Sequence, residues 1–201
     1  METIVRKVIV GHMIQNKLFS DKQFGFISGR STTLQLLIVM EEWTEILDNG
    51  GTLDSIYIDF MKVLDKVPHK RMLRKLRSYG LSEQIIKCVE DFLRDRSQKV
   101  SVNNLESRDR PVMSGIPQGS VLGPILFVIY INDMPECVNA STYLFADDTK
   151  IYKEISCEDD ISGLQENLDQ LQKWSDTWLL KFHPNKCKVM TVSNKTKLEQ
   201  K

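Results

Sequence analysis

The chain has 201 residues, of which 41% are hydrophobic and 27% charged, and its acidic and basic side chains balance to a net charge of zero. This length and composition are typical of a globular domain and exclude a disordered or collagen-like chain. Zero net charge excludes a chain that is basic throughout, but it leaves room for a local basic patch that binds nucleic acid.

The cysteines and the apolar runs indicate the cellular location of the protein. The four cysteines lie far apart and form no C-x-x-C pair, which predicts reduced thiols in an intracellular protein. The first 19 residues carry charges within their apolar pattern and have no signal-peptide cleavage site. No run approaches the ~20 apolar residues of a membrane span. We expect an intracellular protein without a membrane partner; nucleus and cytoplasm stay open.

The first half of the chain alternates helical and strand patterns. Apolar residues at helical spacing predict a helix within residues 1–19, and Ser31 is a predicted N-cap for a second helix. The β-branched and aromatic run 55–60 predicts a buried strand. Gly80 is predicted to end a further helix, and Ser82 to begin the next.

The second half continues this alternation. The predicted segments are a strand at 98–103, a turn at 103–108, a buried helix within 119–134 with Pro124 near its start, a hairpin around Asp147, a long helix over 164–178, a last strand within 183–192 and a frayed polar end at 193–201. Strands interleaved with helices indicate an α/β or α+β protein.

Two adjacent carboxylates stand in the stretch "YLFADDTKIY". Asp147 and Asp148 lie between apolar flanks rich in β-formers. Neighbouring residues of a strand point to opposite faces, so both can approach one ion only at a turn. Asp59 ends the buried run "IYIDF". One interpretation of the pair is an ordinary Asp-rich turn.

The other interpretation is a site for hard cations. A carboxylate from one strand end and a pair on a neighbouring hairpin suit Mg²⁺, which takes one or two protein carboxylates and fills its other positions with water and phosphate oxygens. Two such ions can hold the attacking and leaving oxygens of a phosphoryl transfer.

Other segments could support nucleotide chemistry. Gly119 in "SGIPQGSVLGP" lets the backbone approach a ligand closely, and Gln118 offers both donors and an acceptor to a base or ribose. Arg30, in a Gly-containing loop, could reach a triphosphate. The stretch 62–77 holds seven Lys or Arg against one Asp and suits a phosphate backbone. An ordinary loop, a surface arginine and a solvated basic helix face remain the alternatives.

In chain order, these motifs resemble those of the reverse transcriptases of non-LTR retrotransposons, the jockey-like LINE group. "QFGFISGRSTT" resembles the fingers motif, "IYIDFMKVLDKVPHK" motif A, "SGIPQGSVLGPILFVIYINDMP" motif B, "YLFADDTKIY" motif C and "LQKWSDTWLLKFHPNKCKVMTV" the motif D region. The resemblance implies an α+β fold, a right-hand polymerase fingers-palm whose antiparallel palm sheet has helices packed on one side.

The resemblance also implies an RNA-directed DNA polymerase that acts on an RNA template, a DNA primer and dNTPs with two Mg²⁺ ions, for which Mn²⁺ could substitute. It makes Asp59, Asp147 and Asp148 the catalytic metal carboxylates, with Asp59 and Asp147 dominant. Motif matching places the others near template, nucleotide or backbone: Arg30, Leu64, Gln118 and Gly119 at the nucleotide or template, and Lys62, Lys66, Lys70 and Arg71 at the nucleic-acid backbone.

Three positions depart from the motifs. Motif A usually reads Lys-Ala-Phe-Asp, but Val63 and Leu64 replace the alanine and the aromatic residue under the sugar. Ile27 stands where the fingers motif usually has arginine. We expect weaker dNTP binding and looser sugar selection. The inactive alternative is a relic or an RNA-binding module that keeps the polymerase fold, and a metal-binding domain without a nucleic-acid role is a third hypothesis.

The order of the motifs predicts one reverse transcriptase domain over 1–201. Residues 1–54 would be partial fingers, and 55–201 mainly palm with a fingers-like insertion at about 70–112. We expect no thumb and no endonuclease within the chain, so that it corresponds to a fingers-palm fragment whose oligomeric state is open.

Overall fold

The computed structural model describes residues 1–194; the rest of the predicted frayed end, 195–201, lies outside the described residues. Helices and strands alternate along this part of the chain. The helices are α1 (Glu2–Gln15), α2 (Thr32–Asp48), α3 (Val63–Lys66), α4 (His69–Ser78), α5 (Glu83–Leu93), α6 (Gly123–Ile131) and α7 (Glu158–Trp178). The strands are β1 (Thr52–Ile58), β2 (Ser97–Gln98), β3 (Ser101–Val102), β4 (Leu105–Glu106), β5 (Arg110–Pro111), β6 (Ser141–Phe145), β7 (Asp148–Glu154) and β8 (Lys188–Ser193).

The chain divides into two compact units. One comprises Met1–Phe19 with Lys62–Tyr130, and the other comprises Ser20–Met61 with the described residues from Ile131 onward. The assignment of residues to fingers and palm stays a prediction, because the two units are defined by contacts alone.

The first unit is mainly helical. Helix α5 packs against α4 and α1 through buried apolar side chains such as Ile86 and Val89. Helix α6 is apolar on all sides and buried, as a core helix is. Its second residue is Pro124, a position at which the missing N–H is tolerated.

Three details of this unit correct the sequence interpretation. Residues 98–103 were expected to form one strand, but β2 and β3 are separate two-residue strands that pair with β5 and β4. The predicted turn at 103–108 contains β4, because the turn is confined to Asn103 and Asn104, both with positive φ. The basic stretch is also interrupted, since Lys75 is only 2% exposed and donates to the Tyr130 carbonyl at 2.6 Å.

The second unit contains a four-stranded antiparallel sheet in the order β6-β7-β1-β8. The predicted strand at 55–60 begins earlier, at Thr52, and ends at Ile58. The predicted hairpin around Asp147 is confirmed, because β6 and β7 pair in register from Ser141 opposite Tyr152 to Phe145 opposite Asp148.

Helices cover this sheet through alternating side chains. Ser31 caps α2 by accepting a hydrogen bond from the Leu34 N–H at 3.1 Å, as predicted. Helix α2 packs on one face in a core cluster of Phe24, Val39, Trp43, Leu53, Tyr143 and Tyr152. The centre of the Phe60 ring lies 6.4 Å from that of Trp174 in α7. Phe60 is an odd number of residues from Leu53, and in an extended chain such residues point to opposite sides. The antiparallel sheet with packed helices confirms the predicted α+β class.

Candidate active site

Two of the predicted carboxylates lie at the same end of the sheet. Asp59 follows Ile58, the last residue of β1, and Asp148 is the first residue of β7. Ile58 pairs with Thr149, so the next positions outward are Asp59 and Asp148. Asp59 and Asp148 line one cavity, so the two carboxylates lie close together beside the sheet.

The electrostatics of Asp148 agree with this placement. Partial burial, and then the charges of Asp147 and Asp59, raise the pKa of the Asp148 carboxyl above its usual value. A bound cation would reduce the electrostatic repulsion among these carboxylates. The sheet end therefore concentrates negative charge that a metal ion would neutralise.

Asp147 occupies the turn itself. Ala146 and Asp147 are the only residues between β6 and β7, and Ala146 has φ 54°. Among residues 1–194, no group of three His, Cys, Asp or Glu side chains is arranged to hold a metal ion. The structure brings Asp59 and Asp148 together as a pair, and the role of Asp147 as a dominant ligand stays a prediction.

A lysine that the sequence interpretation did not assign contacts this pair. The Lys186 ammonium lies 3.5 Å from the Asp59 carboxylate. The segment that carries Lys186 is held to Asp59 by the backbone, because the His183 N–H donates to the Asp59 carbonyl at 2.8 Å. The lysine in "HPNKCKV" could have been found as a charge partner only with the knowledge that this segment runs beside β1.

A cavity of about 450 Å³ opens beside the two carboxylates. Asp59, Asp148 and Lys186 line it together with Gln35 of α2 and Tyr57 of β1. Carboxylates, an ammonium and an amide around an aromatic ring can hold a cation and a phosphorylated ligand at one place.

The donor chemistry of this cavity fits magnesium. Asp59 and Asp148 supply hard oxygen ligands, and Mg²⁺ usually takes only one or two carboxylates from the protein. Burial and then the charges of Asp147 and Asp59 raise the pKa of Asp148, and a bound cation would favour its charged form. The residues present therefore could hold a divalent ion, with Asp147 available from the adjoining turn.

Arg30 lies in the same unit but contacts its own loop. Its guanidinium donates to the carbonyls of Ser20 and Gln23 at 2.5 and 2.6 Å and pairs with Asp21 at 3.2 Å. These bonds fold the segment 20–30 onto itself. A contact between Arg30 and a triphosphate stays a prediction. Ile27, at the motif departure, is half-buried in this loop.

Glu42 is a further polar residue that the sequence interpretation missed. Its carboxylate accepts hydrogen bonds from the phenols of Tyr143 and Tyr152, both at 2.5 Å. Burial and the bond to Glu42 raise the pKa of Tyr143 to about 12. The only feature of the sequence that could have indicated this role is that Glu42 immediately precedes the buried Trp43.

The other predicted nucleotide and template residues, Leu64, Gln118 and Gly119, belong to the first unit. Gln118 donates to the Asp65 carboxylate at 3.0 Å, and the Ile116 N–H donates to the Leu64 carbonyl at 2.7 Å. Gly119 has φ 77° and open space around its Cα. The structure thus ties the motif B loop to α3, which carries Leu64.

Basic residues of the first unit line a second cavity, of about 520 Å³. Lys62, Lys66 and Arg96 surround it together with Gln118. Lys70 and Arg71 stand at the start of α4. This concentration of cations could bind a phosphate backbone, and the individual contacts stay predictions.

Comparisons with known proteins assign the chain to one family. A family model described as "Reverse transcriptase (RNA-dependent DNA polymerase)" matches residues 1–199. The chain is 33% identical over 208 aligned residues to the "RNA-directed DNA polymerase from mobile element jockey" of Drosophila melanogaster, covering 94% of this chain and 22% of that protein. It is 31% identical to the "Probable RNA-directed DNA polymerase from transposon BS" of the same species, covering 87% and 20%.

A solved structure shares the fold. The telomerase of Candida tropicalis, solved in complex with the TWJ fragment of telomeric RNA, superposes with a TM-score of 0.70 at 14% identity, covering 96% of this chain and 35% of that one. The chain spans about a fifth of the length of the curated relatives it matches. Among residues 1–194, no helix is long and apolar enough to cross a bilayer.

Proposed function

This chain belongs to the reverse transcriptase family, whose model matches residues 1–199, and on that premise we propose that it carries the RNA-directed DNA polymerase centre of a non-LTR retrotransposon protein. The resemblance of the motifs to the jockey-like group is confirmed by the curated relatives. Because the chain covers about a fifth of those relatives, the activity of this polypeptide, its template, its primer and its dNTPs are part of the proposal.

The observation that carries the proposal is that Asp59 and Asp148 lie at adjoining strand ends and line one open cavity. In the proposed mechanism these two carboxylates and Asp147 would hold two Mg²⁺ ions. Bound divalent ions supply the charge stabilisation of the attacking and leaving oxygens in nucleotidyl transfer. The chain's own contribution is to fix the carboxylates on rigid strand ends, since positioning accounts for most of the catalysis in this chemistry.

The remaining predicted residues would orient the substrates. Gln118 and Gly119 would meet the template and the incoming nucleotide, with Leu64 under the sugar and Arg30 near the triphosphate. For Gln118 to do so, its amide must leave the Asp65 carboxylate that it contacts. Lys62, Lys66, Lys70 and Arg71 would neutralise the nucleic-acid backbone.

Primer extension tests the proposal directly. The full chain is incubated with a primed RNA template, dNTPs and Mg²⁺. We expect extension by the wild type and a loss of at least about 100-fold in Asp59→Asn and Asp147→Asn, because metal affinity and charge stabilisation are both reduced. Asp91→Asn, an exposed carboxylate of α5, is the matched control and should retain full activity. Extension that survives both site substitutions would contradict the assignment.

Salt dependence tests the RNA partner. Removing two phosphate contacts should reduce the slope of log affinity against log salt by about 0.7 for each contact on a single strand. We expect this for Lys62→Gln with Lys66→Gln, and no change for Lys7→Gln with Lys87→Gln, which are exposed lysines of α1 and α5. Equal slopes for the two double variants would exclude the second cavity as the RNA site.

A further inference from the structure

The buried side chain of Gln23 contacts the turn that carries Asp147. Its carbonyl oxygen accepts the Ala146 N–H at 2.9 Å, and its amide nitrogen donates to the Ala146 carbonyl at 3.2 Å. The same carbonyl oxygen accepts the Gly25 N–H at 2.7 Å. Gln23 has no exposed surface, so water does not compete for these bonds.

The backbone around Gln23 is fixed to the end of β6. The Phe24 N–H donates to the Leu144 carbonyl, and the Leu144 N–H donates to the Lys22 carbonyl, both at 2.8 Å. These bonds form a parallel bridge between Gln23 and Leu144. The side chain therefore reaches the turn from a segment that is itself anchored to the hairpin.

Gly25 makes this approach possible. A Cβ at Gly25 would lie 2.3 Å from the Ala146 nitrogen, a distance that no real side chain tolerates. The loop can pack against the turn only because this residue is glycine.

The turn requires such support. Ala146 has φ 54°, in the left-handed region, which is unfavourable for a residue with a Cβ. Both backbone polar groups of Ala146 are satisfied by the one amide of Gln23. The conformation of Ala146 sets the direction in which the next residue, Asp147, leaves the hairpin.

We propose that Gln23 is a positioning residue for the metal site: its amide fixes Ala146 and thereby the orientation of the Asp147 carboxylate. The inference rests on the proposed metal-dependent polymerase function and adds a residue outside the carboxylates to it. Only an amide of this length serves, because an acceptor must face the Ala146 N–H and a donor the Ala146 carbonyl. Glutamate lacks the donor, and methionine has the length but neither group.

The experiment measures metal affinity separately from folding. Mn²⁺, which carboxylates also bind, is titrated calorimetrically into the full chain, and primer extension is followed against Mg²⁺ concentration. We expect the half-saturating metal concentration to rise about 10-fold in Gln23→Met and Gln23→Glu, as for other residues that orient metal ligands. Gly25→Ala should give a similar rise through its clash with Ala146; the added Cβ would also lie 3.1 Å from the Gln23 Oε1, but the amide group of Gln23 is kept.

Two matched controls separate these effects from general damage. Gln165→Met removes an exposed glutamine of α7, and Gly11→Ala adds a methyl group to α1 where nothing lies within 4 Å. Both should bind metal like the wild type. Thermal unfolding of every variant is recorded alongside.

The outcomes are distinct. A merely structural role would lower the fraction of binding-competent protein and the melting temperature but leave the half-saturating concentration unchanged, and that result overturns the inference. If Gln23→Met does not fold, Gln23→Glu and Gly25→Ala decide by the same criterion. A wild type that binds no metal overturns the proposed function and the inference together, whereas wild-type binding with unchanged variants overturns the inference alone.

Discussion

Lys186 holds its ammonium group 3.5 Å from the carboxylate of Asp59, at the end of β1 where the candidate metal site lies. The contact is anchored by the backbone bond from His183 to Asp59 at 2.8 Å and by the bridge between Phe60 and Phe182. A cation of the protein thus neutralises one of the paired carboxylates. A bound metal ion has to compete with it.

This competition predicts tighter metal binding when Lys186 is removed. Exposed ion pairs contribute about 0.2–1 kcal/mol, so Lys186→Met should lower the Mn²⁺ dissociation constant by about 1.4- to fivefold. The measurement is a calorimetric titration, and Lys181→Met, an exposed lysine of the same segment, is the control. Weaker binding in Lys186→Met would mean that the ammonium supports the site instead of competing for it.

The raised pKa of Asp148 predicts how stability depends on pH. In the folded protein Asp148 retains its proton to a higher pH than in the unfolded chain, so the native state binds more protons between the two pKa values and stability falls as pH rises through that window. Asp148→Asn should therefore stabilise the metal-free chain at neutral pH by up to about 1 kcal/mol. The gain should disappear below the ordinary aspartate pKa of about 3.9.

Urea unfolding at neutral and acidic pH checks this prediction. Asp91→Asn is the control, and the difference between its free energy of unfolding and that of the wild type should not depend on pH in the way expected for Asp148→Asn. Addition of Mg²⁺ should reverse the order at neutral pH, because a ligand stabilises only the state that binds it. An Asp148→Asn variant that is less stable than the metal-free wild type at neutral pH would contradict the charge crowding inferred here.

The sequence predicted the elements whose signals are local. Ser31 caps α2 because its hydroxyl accepts a hydrogen bond from the Leu34 N–H, which has no partner within the helix. The two adjacent aspartates of motif C lie at a hairpin because the residues on either side favour β-strands. The proximity of Asp59 to Asp148 depends on the register of β1 and β7, in which Ile58 pairs with Thr149, and no local sequence pattern fixes that register.

The residues that were missed act over long distances in the chain. Gln23, Glu42 and Lys186 each contact a group far away in sequence. No periodicity marks such partners, since a buried amide or carboxylate is chosen by the group it faces. The two short strand pairs of the first unit were also misjudged, because ladders of two residues carry almost no pattern.

The bonds of Glu42 predict a large effect of a conservative substitution. Glu42→Gln removes the charge that two phenols share, and charge-assisted hydrogen bonds contribute about 1.5–3 kcal/mol. We expect the free energy of unfolding to fall by about 2 kcal/mol in urea denaturation. Spectroscopic titration should also show the pKa of Tyr143 below its wild-type value of about 12, because the neighbouring negative charge is gone.

The neighbouring Glu41→Gln is the control for this prediction. Glu41 is exposed, so its substitution should change stability by less than about 0.5 kcal/mol. Equal stabilities of the two variants would show that the phenols of Tyr143 and Tyr152 find other partners.

Substitution of two glycines in the motif B loop distinguishes the cost of backbone strain from the cost of a steric clash. Gly115 and Gly119 both have positive φ, 91° and 77°. A Cβ at Gly115 would lie 2.8 Å from the Asp65 carbonyl oxygen, whereas nothing lies within 4 Å of one at Gly119. Gly119→Ala should therefore cost only the left-handed conformation, about 1–2 kcal/mol.

Gly115→Ala should cost this strain and a further 1–3 kcal/mol or so, because the clashing partner is backbone that cannot rotate away. The displacement would also strain the bonds of Gly115 to Val67 and His69, both at 2.8 Å. Urea unfolding of the two variants beside the wild type measures the difference, and it is independent of polymerase activity. Since both substitutions add the same methyl group at positive φ, equal losses would show that α3 and the motif B loop are not packed as closely as the Asp65 contact requires.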